Sequence, residues 1–179
     1  DEAGMQRDYW YESVRCADDF PDVESIGRKA AERTVARLGA RKLGTRQCPV
    51  LFTPQVARSL IGHLVSAVSG GVLYRKASFL VDHIGKPLFP EFVQIVERPH
   101  IRRGQASANF DSEGVATRDS DLISNGRLAR YVLGSYSARK LGLRSTGNAG
   151  GVHNLIVTSG AEDFASLLKR MGTGLIVTE

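Results

Sequence analysis

The sequence predicts an α+β fold in which helices pack on a curved, largely antiparallel sheet. Two apolar patterns of helical period lie in the first seventy residues, and short strand-like runs separated by turn residues follow them. An Asn-Gly pair at residues 125–126, between two extended runs, is a strong signal of an antiparallel hairpin. Since 42% of the 179 residues are hydrophobic, the chain can bury a core of this kind.

The first predicted helix covers residues 22–38, with Asp19 or Asp22 as its N-cap and Gly39 after its end. A short apolar run at residues 48–52 predicts a buried strand. The second helix begins at Thr53-Pro54, because threonine is a good N-cap and proline suits the first helical position. Its apolar stripe ends at Gly70-Gly71. No glycine lies between this strand and helix, which excludes a Walker loop or a dinucleotide fingerprint there.

The remaining elements are shorter. Strands are predicted at residues 92–97, 152–157 and 175–178, and two extended runs flank the hairpin turn. Residues 136–141 predict one or two helical turns. A helix over residues 161–171 is expected to begin near Thr158 or Ser159 and to end before Gly172.

Charge and composition limit the classes of function. The net charge is +5, with 6 basic and 9 acidic residues in positions 1–38 and 18 basic and 10 acidic residues in positions 39–179. The basic residues are scattered and aromatic residues make up only 7%, so a nucleic-acid interface is not favoured. No apolar run reaches the roughly 18–20 residues of a membrane helix, and the first residues do not resemble a signal peptide. A cytoplasmic protein without a membrane partner is therefore expected.

Catalytic and metal-binding patterns are missing from the sequence. A zinc-peptidase helix carries two histidines and a glutamate on one face, whereas the second predicted helix carries His63 alone. The acids of FDSEG and RDSD support an acid–base pair by proximity only, and such acids more often cap turns. There is no GxSxG elbow, and Cys48 has no activating base. We predict no catalytic residue, metal ligand or cofactor in this chain.

The segment RSTGNAGGVHN, residues 144–154, allows two interpretations. Its three glycines permit positive φ angles, and successive amides could form a nest for an anion. Its serine, threonine and asparagine residues can instead bond their own backbone and make a tight connection between neighbouring elements. The residue types favour the connection without excluding the nest.

Several phrases together resemble a known family. They are PVLFTPQVARSLIGHLVSAVSGG, YRKASFL, FDSEGVATRD, YSARKLGLRSTGNAGGVHN and MGTGLIVTE. In order and spacing they are similar to the central part of the TldE branch of the TldD/PmbA family of metalloproteases. The resemblance covers about residues 10–179. It implies that residues 1–179 form one domain, spanning the end of the family's N-terminal α/β region and most of its C-terminal β-rich region.

The resemblance also implies a function. In this family, TldD and TldE subunits form a cytosolic heterodimeric peptidase that cleaves unfolded peptides, in peptide-antibiotic maturation and antitoxin degradation. The substrate is expected to bind as an added strand. The HExxxH motif of TldD falls here on Ile61, Gly62 and Ser66, none of which can supply its chemistry. The resemblance therefore implies a non-catalytic subunit, with a metal ion, expected to be zinc, held by a TldD-like partner.

Five residues in and beside the glycine-rich segment are candidates for contact with a peptide or the partner: Arg139, Lys140, Asn148, His153 and Asn154. A homodimer of the isolated chain is a further expectation to be tested. Two alternative functions stay open, an independently active metalloprotease and a DNA-associated regulator of the gyrase-modulator kind.

Overall fold

A computed structural model describes residues 2, 4–158 and 160–178. The chain groups into two compact units, Asp1–Gln47 and Cys48–Glu179. The prediction that residues 1–179 join the end of one family region to most of the next stays a prediction.

The first unit contains a short 3-10 helix, Ala17–Asp19, and helix α1, Val23–Val35. Asp22 is the N-cap of α1, as predicted, and its carboxylate accepts a hydrogen bond from the backbone N–H of Ser25 at 3.0 Å. The helix ends earlier than predicted, at Val35. None of the described residues in this unit is buried.

The second unit contains two sheets. Strands β1 (Val50–Phe52) and β6 (Leu175–Val177) form a parallel pair. Strands β2 (Ile95–Glu97), β3 (Ser120–Ser124), β4 (Arg127–Leu128) and β5 (Leu155–Val157) form an antiparallel sheet in the order β4-β3-β2-β5. A register shift between Ile95 and Val96 interrupts the β2–β3 ladder, and such irregularities bend a sheet. The predicted α+β class is confirmed.

The prediction that residues 48–52 form a buried strand is wrong about burial. Val50 is 46% exposed and Phe52 is 39% exposed. The reason is that β1 pairs only with β6 in the described part of the chain.

Helix α2, Pro54–Ala67, begins at the predicted proline. The glycines that were expected to end it instead begin helix α3, Gly70–Tyr74. The backbone N–H of Gly70 donates to the carbonyl of Val132 at 2.9 Å, which holds this helix junction against the chain that follows β4. Gly70 therefore serves close packing here, and neither glycine terminates α2.

The hairpin at Asn125-Gly126 is confirmed. Both residues have positive φ, 47° and 72°, and the strands beside them pair Ile123 with Leu128. Helix α4, Ser135–Lys140, and helix α5, Phe164–Met171, complete the fold. The N-cap of α5 is Asp163, whose carboxylate accepts from the N–H of Ser166 at 2.8 Å, so the prediction of Thr158 was wrong. Ser159, the other predicted cap, lies outside the described residues.

The core lies between α2, α3, α4 and the antiparallel sheet. Its buried hydrophobic residues are Leu64, Val68, Leu73, Leu80, Ile95, Leu122, Ile123, Leu128, Tyr131, Val132, Leu133 and Ala138. Within residues 2, 4–158 and 160–178, no helix is long and apolar enough to cross a membrane.

Candidate functional site

The glycine-rich segment is organised around a buried carboxylate, that of Glu97 at the end of β2. Glu97 is only 2% exposed. It forms an ion pair with Arg130, accepts a hydrogen bond from the side-chain amide of Asn148 at 2.9 Å, and lies 3.0 Å from Nδ1 of His153. We call Glu97, Arg130, Asn148 and His153 the Glu97 cluster. These donors provide the partners that a buried charge requires.

Asn148 is fully engaged inside this cluster. Its Oδ1 accepts hydrogen bonds from Nη1 of Arg130 at 3.0 Å and from the hydroxyl of Thr146 at 2.7 Å. Its Nδ2 donates to Glu97 and also to the carbonyl of Gly151 at 3.1 Å. Because Asn148 is 5% exposed and its amide is used on both sides, its observed role is to shape the loop.

A second buried carboxylate, that of Asp111, fixes the loop from another side. Its two oxygens accept from the backbone N–H groups of Glu113, Val115 and Ala149, each at 2.9 Å. Burial acts to raise the pKa of Asp111, but the N–H donors of Ala149, Val115 and Glu113 outweigh it and hold the pKa below its usual value. The loop is thereby tied to the FDSEG turn.

The conformation of the loop requires glycine at Gly147. Its φ is 72°, and a Cβ at this position would lie 2.9 Å from the carbonyl oxygen of Ala116. The preceding Thr146 uses its hydroxyl to accept from the N–H of Leu133 at 2.8 Å. Of the two interpretations of this segment, the observed contacts agree with the tight connection.

His153 and Asn154 also face other parts of the chain. The His153 side chain is 12% exposed and lies against Glu97. Asn154 donates to the carbonyl of Arg98 at 2.9 Å and to the hydroxyl of Ser107 at 2.7 Å, while its Oδ1 accepts from the N–H of Ala106 at 2.9 Å. It therefore closes the basic loop of residues 98–107.

Arg139 and Lys140 are placed differently from the other three candidates. Both are exposed in the last turn of α4. Nζ of Lys140 lies 5.7 Å from the ring centroid of Tyr136. The structure thus brings Asn148 and His153 together, places Asn154 beside the neighbouring loop, and leaves the two cations facing solvent. Contact of any of the five with a peptide or partner stays a prediction.

Sequence reasoning missed Glu97 and Arg130. Burial lowers the pKa of the Arg130 guanidinium below its usual value, while the charge of Glu97 acts in the opposite direction. One signal was available, because Glu97 ends the apolar run FVQIVE, where a charged residue needs a buried partner. The identity of that partner could not be read from the sequence.

The four histidines occupy separate environments. His63 is exposed on α2, next to half-buried Ile61 and exposed Gly62. His83 and His100 bond to the carbonyl of Val81 and the hydroxyl of Thr117, at 2.7 Å and 3.1 Å. Across the described residues, no group of three or more His, Cys, Asp or Glu side chains is arranged to hold a metal ion.

An open depression of about 590 Å³ lies beside the β3–β4 hairpin, where Glu91 and Arg127 supply its charged side chains. It contains none of the five candidate residues. It is therefore separate from the Glu97 cluster.

Comparison with known proteins places the chain in a family. The model of the PmbA/TldA metallopeptidase C-terminal domain matches residues 45–179. The chain belongs to the PmbA/TldD family, and the resemblance found in the sequence is confirmed.

Individual relatives agree with this assignment. The chain is 50% identical over 175 residues to metalloprotease PmbA of Escherichia coli O157:H7, covering 98% of this chain and 39% of the relative. A crystal structure named for a modulator of DNA gyrase from Bacteroides thetaiotaomicron superposes with a TM-score of 0.87 at 28% identity, covering 95% of this chain and 38% of that one. TldE from Thermococcus kodakarensis superposes with a TM-score of 0.74 at 25% identity, covering 88% and 38%. The chain thus spans about two-fifths of the length of these relatives.

Proposed function

We propose that this chain belongs to a TldE-like, non-catalytic subunit of a cytoplasmic two-subunit peptidase. A TldD-like partner would hold the metal ion, expected to be zinc, and unfolded peptides would be the substrates. The names of the relatives support this proposal, since metalloprotease PmbA is 50% identical and TldE has the same fold.

The observation that carries the proposal is the surface of helix α2. The positions that correspond to the HExxxH motif of TldD hold Ile61, Gly62 and Ser66. A zinc site needs imidazole or carboxylate ligands, and a glutamate to deprotonate the metal-bound water. The sec-butyl group of Ile61, the hydrogen atom of Gly62 and the hydroxyl of Ser66 cannot provide that set. His63, the neighbouring imidazole, has no second ligand on α2.

The rigid loop supports a non-catalytic role in a different way. The Glu97 cluster uses the side chains of Asn148 and His153 internally, so the loop gives a fixed shape to the surface around it. A subunit that completes a substrate channel or an interface needs such fixed surfaces. Arg139 and Lys140 are the candidates with exposed side chains for direct contact.

The test compares the full chain alone, a TldD-like partner alone, and the mixture of the two. Zinc content is measured by mass spectrometry and cleavage is measured on an unfolded peptide, with and without a chelator. We expect stoichiometric metal in the partner and the mixture, with full cleavage only in the mixture. Stoichiometric metal and chelator-sensitive cleavage by this chain alone would establish the independent metalloprotease instead.

A second candidate, a DNA-associated regulator, is suggested by the name of the Bacteroides structure and by the basic surplus of residues 39–179. Binding of duplex DNA is measured at several salt concentrations. A steep decrease in affinity with salt would favour this candidate. If no binding to duplex DNA were detected at physiological salt, the peptidase subunit would remain the favoured function.

A further inference from the structure

The packing of α3 against α4 produces a surface with two tyrosines and two cations. The rings of Tyr74 and Tyr136 lie 5.7 Å apart between centroids, at an interplanar angle of 82°. The guanidinium carbon of Arg75 lies 5.5 Å from the Tyr74 ring, and Nζ of Lys140 lies 5.7 Å from the Tyr136 ring. We call Tyr74, Arg75, Tyr136 and Lys140 the tyrosine patch.

The core holds the patch in place. Gly70 begins α3 and is buried directly against Ser137 of α4, and a Cβ at Gly70 would lie 2.9 Å from Cδ2 of Leu133. This close approach of the two helices brings Tyr74 to Tyr136. The aromatic pair is therefore a rigid base on which the two flexible cations rest.

Arg75 and Lys140, the two cations of the patch, form no salt bridge with a described residue. Arg75 and Lys140 are exposed, and so are Lys76, Arg139 and Arg144, which are close to them in sequence. Within the described ranges, none of these five forms a salt bridge. Glu113, whose carboxylate interacts with the charge of Arg139, accepts a hydrogen bond from the N–H of Ser135 at 2.8 Å at the other end of α4.

Three arginines elsewhere in this unit have acidic partners. Arg98 lies 3.6 Å from a carboxylate oxygen of Asp119, and Arg130 and Arg170 pair with Glu97 and Glu162. An exposed group of cations that form no salt bridge within the described residues is suited to an anionic ligand.

The geometry favours a carboxylate ligand over a nucleic-acid base. Bases bind to single-strand interfaces by stacking on open aromatic faces. Here the rings meet edge to face, and each has a cation of the protein over it. The cations can bind carboxylates without leaving the rings, because a cation–π contact uses only one side of an ammonium or guanidinium group.

We propose that the tyrosine patch binds an acidic segment of an unfolded polypeptide. This inference rests on the proposed function and deepens it, because it names the class of substrate that the subunit would favour. Three contacts of 5.5, 5.7 and 5.7 Å connect Arg75 to Lys140 through the two rings. Same-face side chains of an extended peptide are spaced by about 7 Å, so acidic residues in one short segment can reach both cations.

The test uses fluorescence anisotropy with the full chain and two labelled, unstructured peptides of equal length. One contains a run of glutamates and the other contains glutamines at the same positions. The variant is R75Q/K140Q. The control is K86Q/K169Q, which removes the same charge from two exposed lysines outside the patch.

We expect R75Q/K140Q to weaken binding of the acidic peptide by about three- to tenfold, and the control to weaken it less than about twofold. The glutamine peptide should bind weakly to every form. Equal losses of affinity for the acidic peptide in the two double variants would overturn the proposal. It would also be overturned if a single-stranded DNA oligonucleotide bound more tightly than the acidic peptide and lost this binding in R75Q/K140Q.

Cleavage of both peptides by the mixture with a TldD-like partner separates this inference from the proposed function. Selective cleavage of the acidic peptide would support both the proposed function and the peptide-binding site. With patch-dependent binding but no cleavage of any peptide, the peptidase role fails and the binding site stands.

Discussion

Glu97 is the single residue on which the Glu97 cluster most depends. Its buried carboxylate is the counter-charge of Arg130, whose side chain is only 14% exposed. Removing one partner of a buried ion pair leaves the other charge without compensation, which costs about 3–5 kcal/mol. We therefore expect Glu97→Ala to lower the free energy of unfolding by about that amount, measured by urea denaturation.

A matched control is Glu91→Ala, which removes an exposed carboxylate from the same part of the chain. Its effect should stay within about 0.5 kcal/mol. Similar decreases in the free energy of unfolding in the two variants would mean that the Glu97 ion pair contributes no more to stability than an exposed carboxylate does.

Asp111 gives a prediction about pH. The pKa of its carboxylate is below the usual value in the folded protein, because the backbone donors outweigh the opposing effect of burial. A group with a depressed folded-state pKa stabilises the protein above its unfolded-state pKa of about 3.9, and this stabilisation is lost as the pH falls through the folded-state pKa. Asp111→Asn should thus be destabilising at pH 7, by about 1–3 kcal/mol.

The difference in free energy of unfolding between the wild-type protein and Asp111→Asn should decrease as the pH falls below about 4. Urea unfolding at a series of pH values from neutral to acidic measures it. Asp119→Asn, at a residue with a 61% exposed side chain, is the control and should show little effect at any pH. If Asp111→Asn lowered the free energy of unfolding by the same amount at every pH, the assigned role of the carboxylate would be contradicted.

At the scale of elements, the contact between α3 and α4 depends on Gly70. A Cβ at this position would collide with the side chain of Ser137 and lie 2.9 Å from Leu133. Overpacking of a close contact typically costs about 1–3 kcal/mol. We expect Gly70→Ala to destabilise the protein by this amount in thermal or urea unfolding.

The neighbouring Gly71→Ala is a control within the same helix. The nearest atom to its added Cβ would be Nη2 of Arg75 at 3.9 Å, an ordinary contact. Since alanine has the higher helix propensity, this change should be neutral or stabilising by up to about 1 kcal/mol. If both alanine variants behaved alike, the close approach of α3 and α4 would not be the reason for glycine at position 70.

At the scale of the whole molecule, local features were predictable from the sequence. The hairpin at Asn125-Gly126, the N-cap at Asp22 and the start of α2 at Pro54 depend on residues adjacent in the chain. The predicted end of α2 was wrong, because Gly70 packs closely against Ser137, which is distant in sequence. Propensity cannot distinguish a glycine that ends a helix from one that permits two helices to pack.

The arrangement of the candidate site could be predicted only in part. The unusual composition of residues 144–154 identified the loop and made Asn148 and His153 candidates for contact with a peptide or a partner, which stays a prediction. Both residues face Glu97, which is 51 and 56 residues away in sequence. The pairing of β2 with β3 and β5 brings these segments together, and no local pattern encodes it.

The two compact units give the last prediction. Residues 2 and 4–47 include no buried residue, whereas all the described buried hydrophobic residues lie in the unit of residues 48–179. Since buried apolar area is the main source of stability, the first unit should unfold at a lower urea concentration. Trp10, the single tryptophan, lies in that unit with Nζ of Lys29 at 3.6 Å from its ring centroid.

Trp10 fluorescence therefore reports on the first unit alone, and amide hydrogen exchange at Ile95 and Ile123 reports on the buried sheet. We expect the fluorescence transition to be complete while these two amides are still protected. Superimposable transitions would show a single cooperative unit, because coincident probes are the test of two-state unfolding. In that case the buried core of the second unit would also have to stabilise α1. The absence of buried residues among residues 2 and 4–47 would then not predict early unfolding of the first unit.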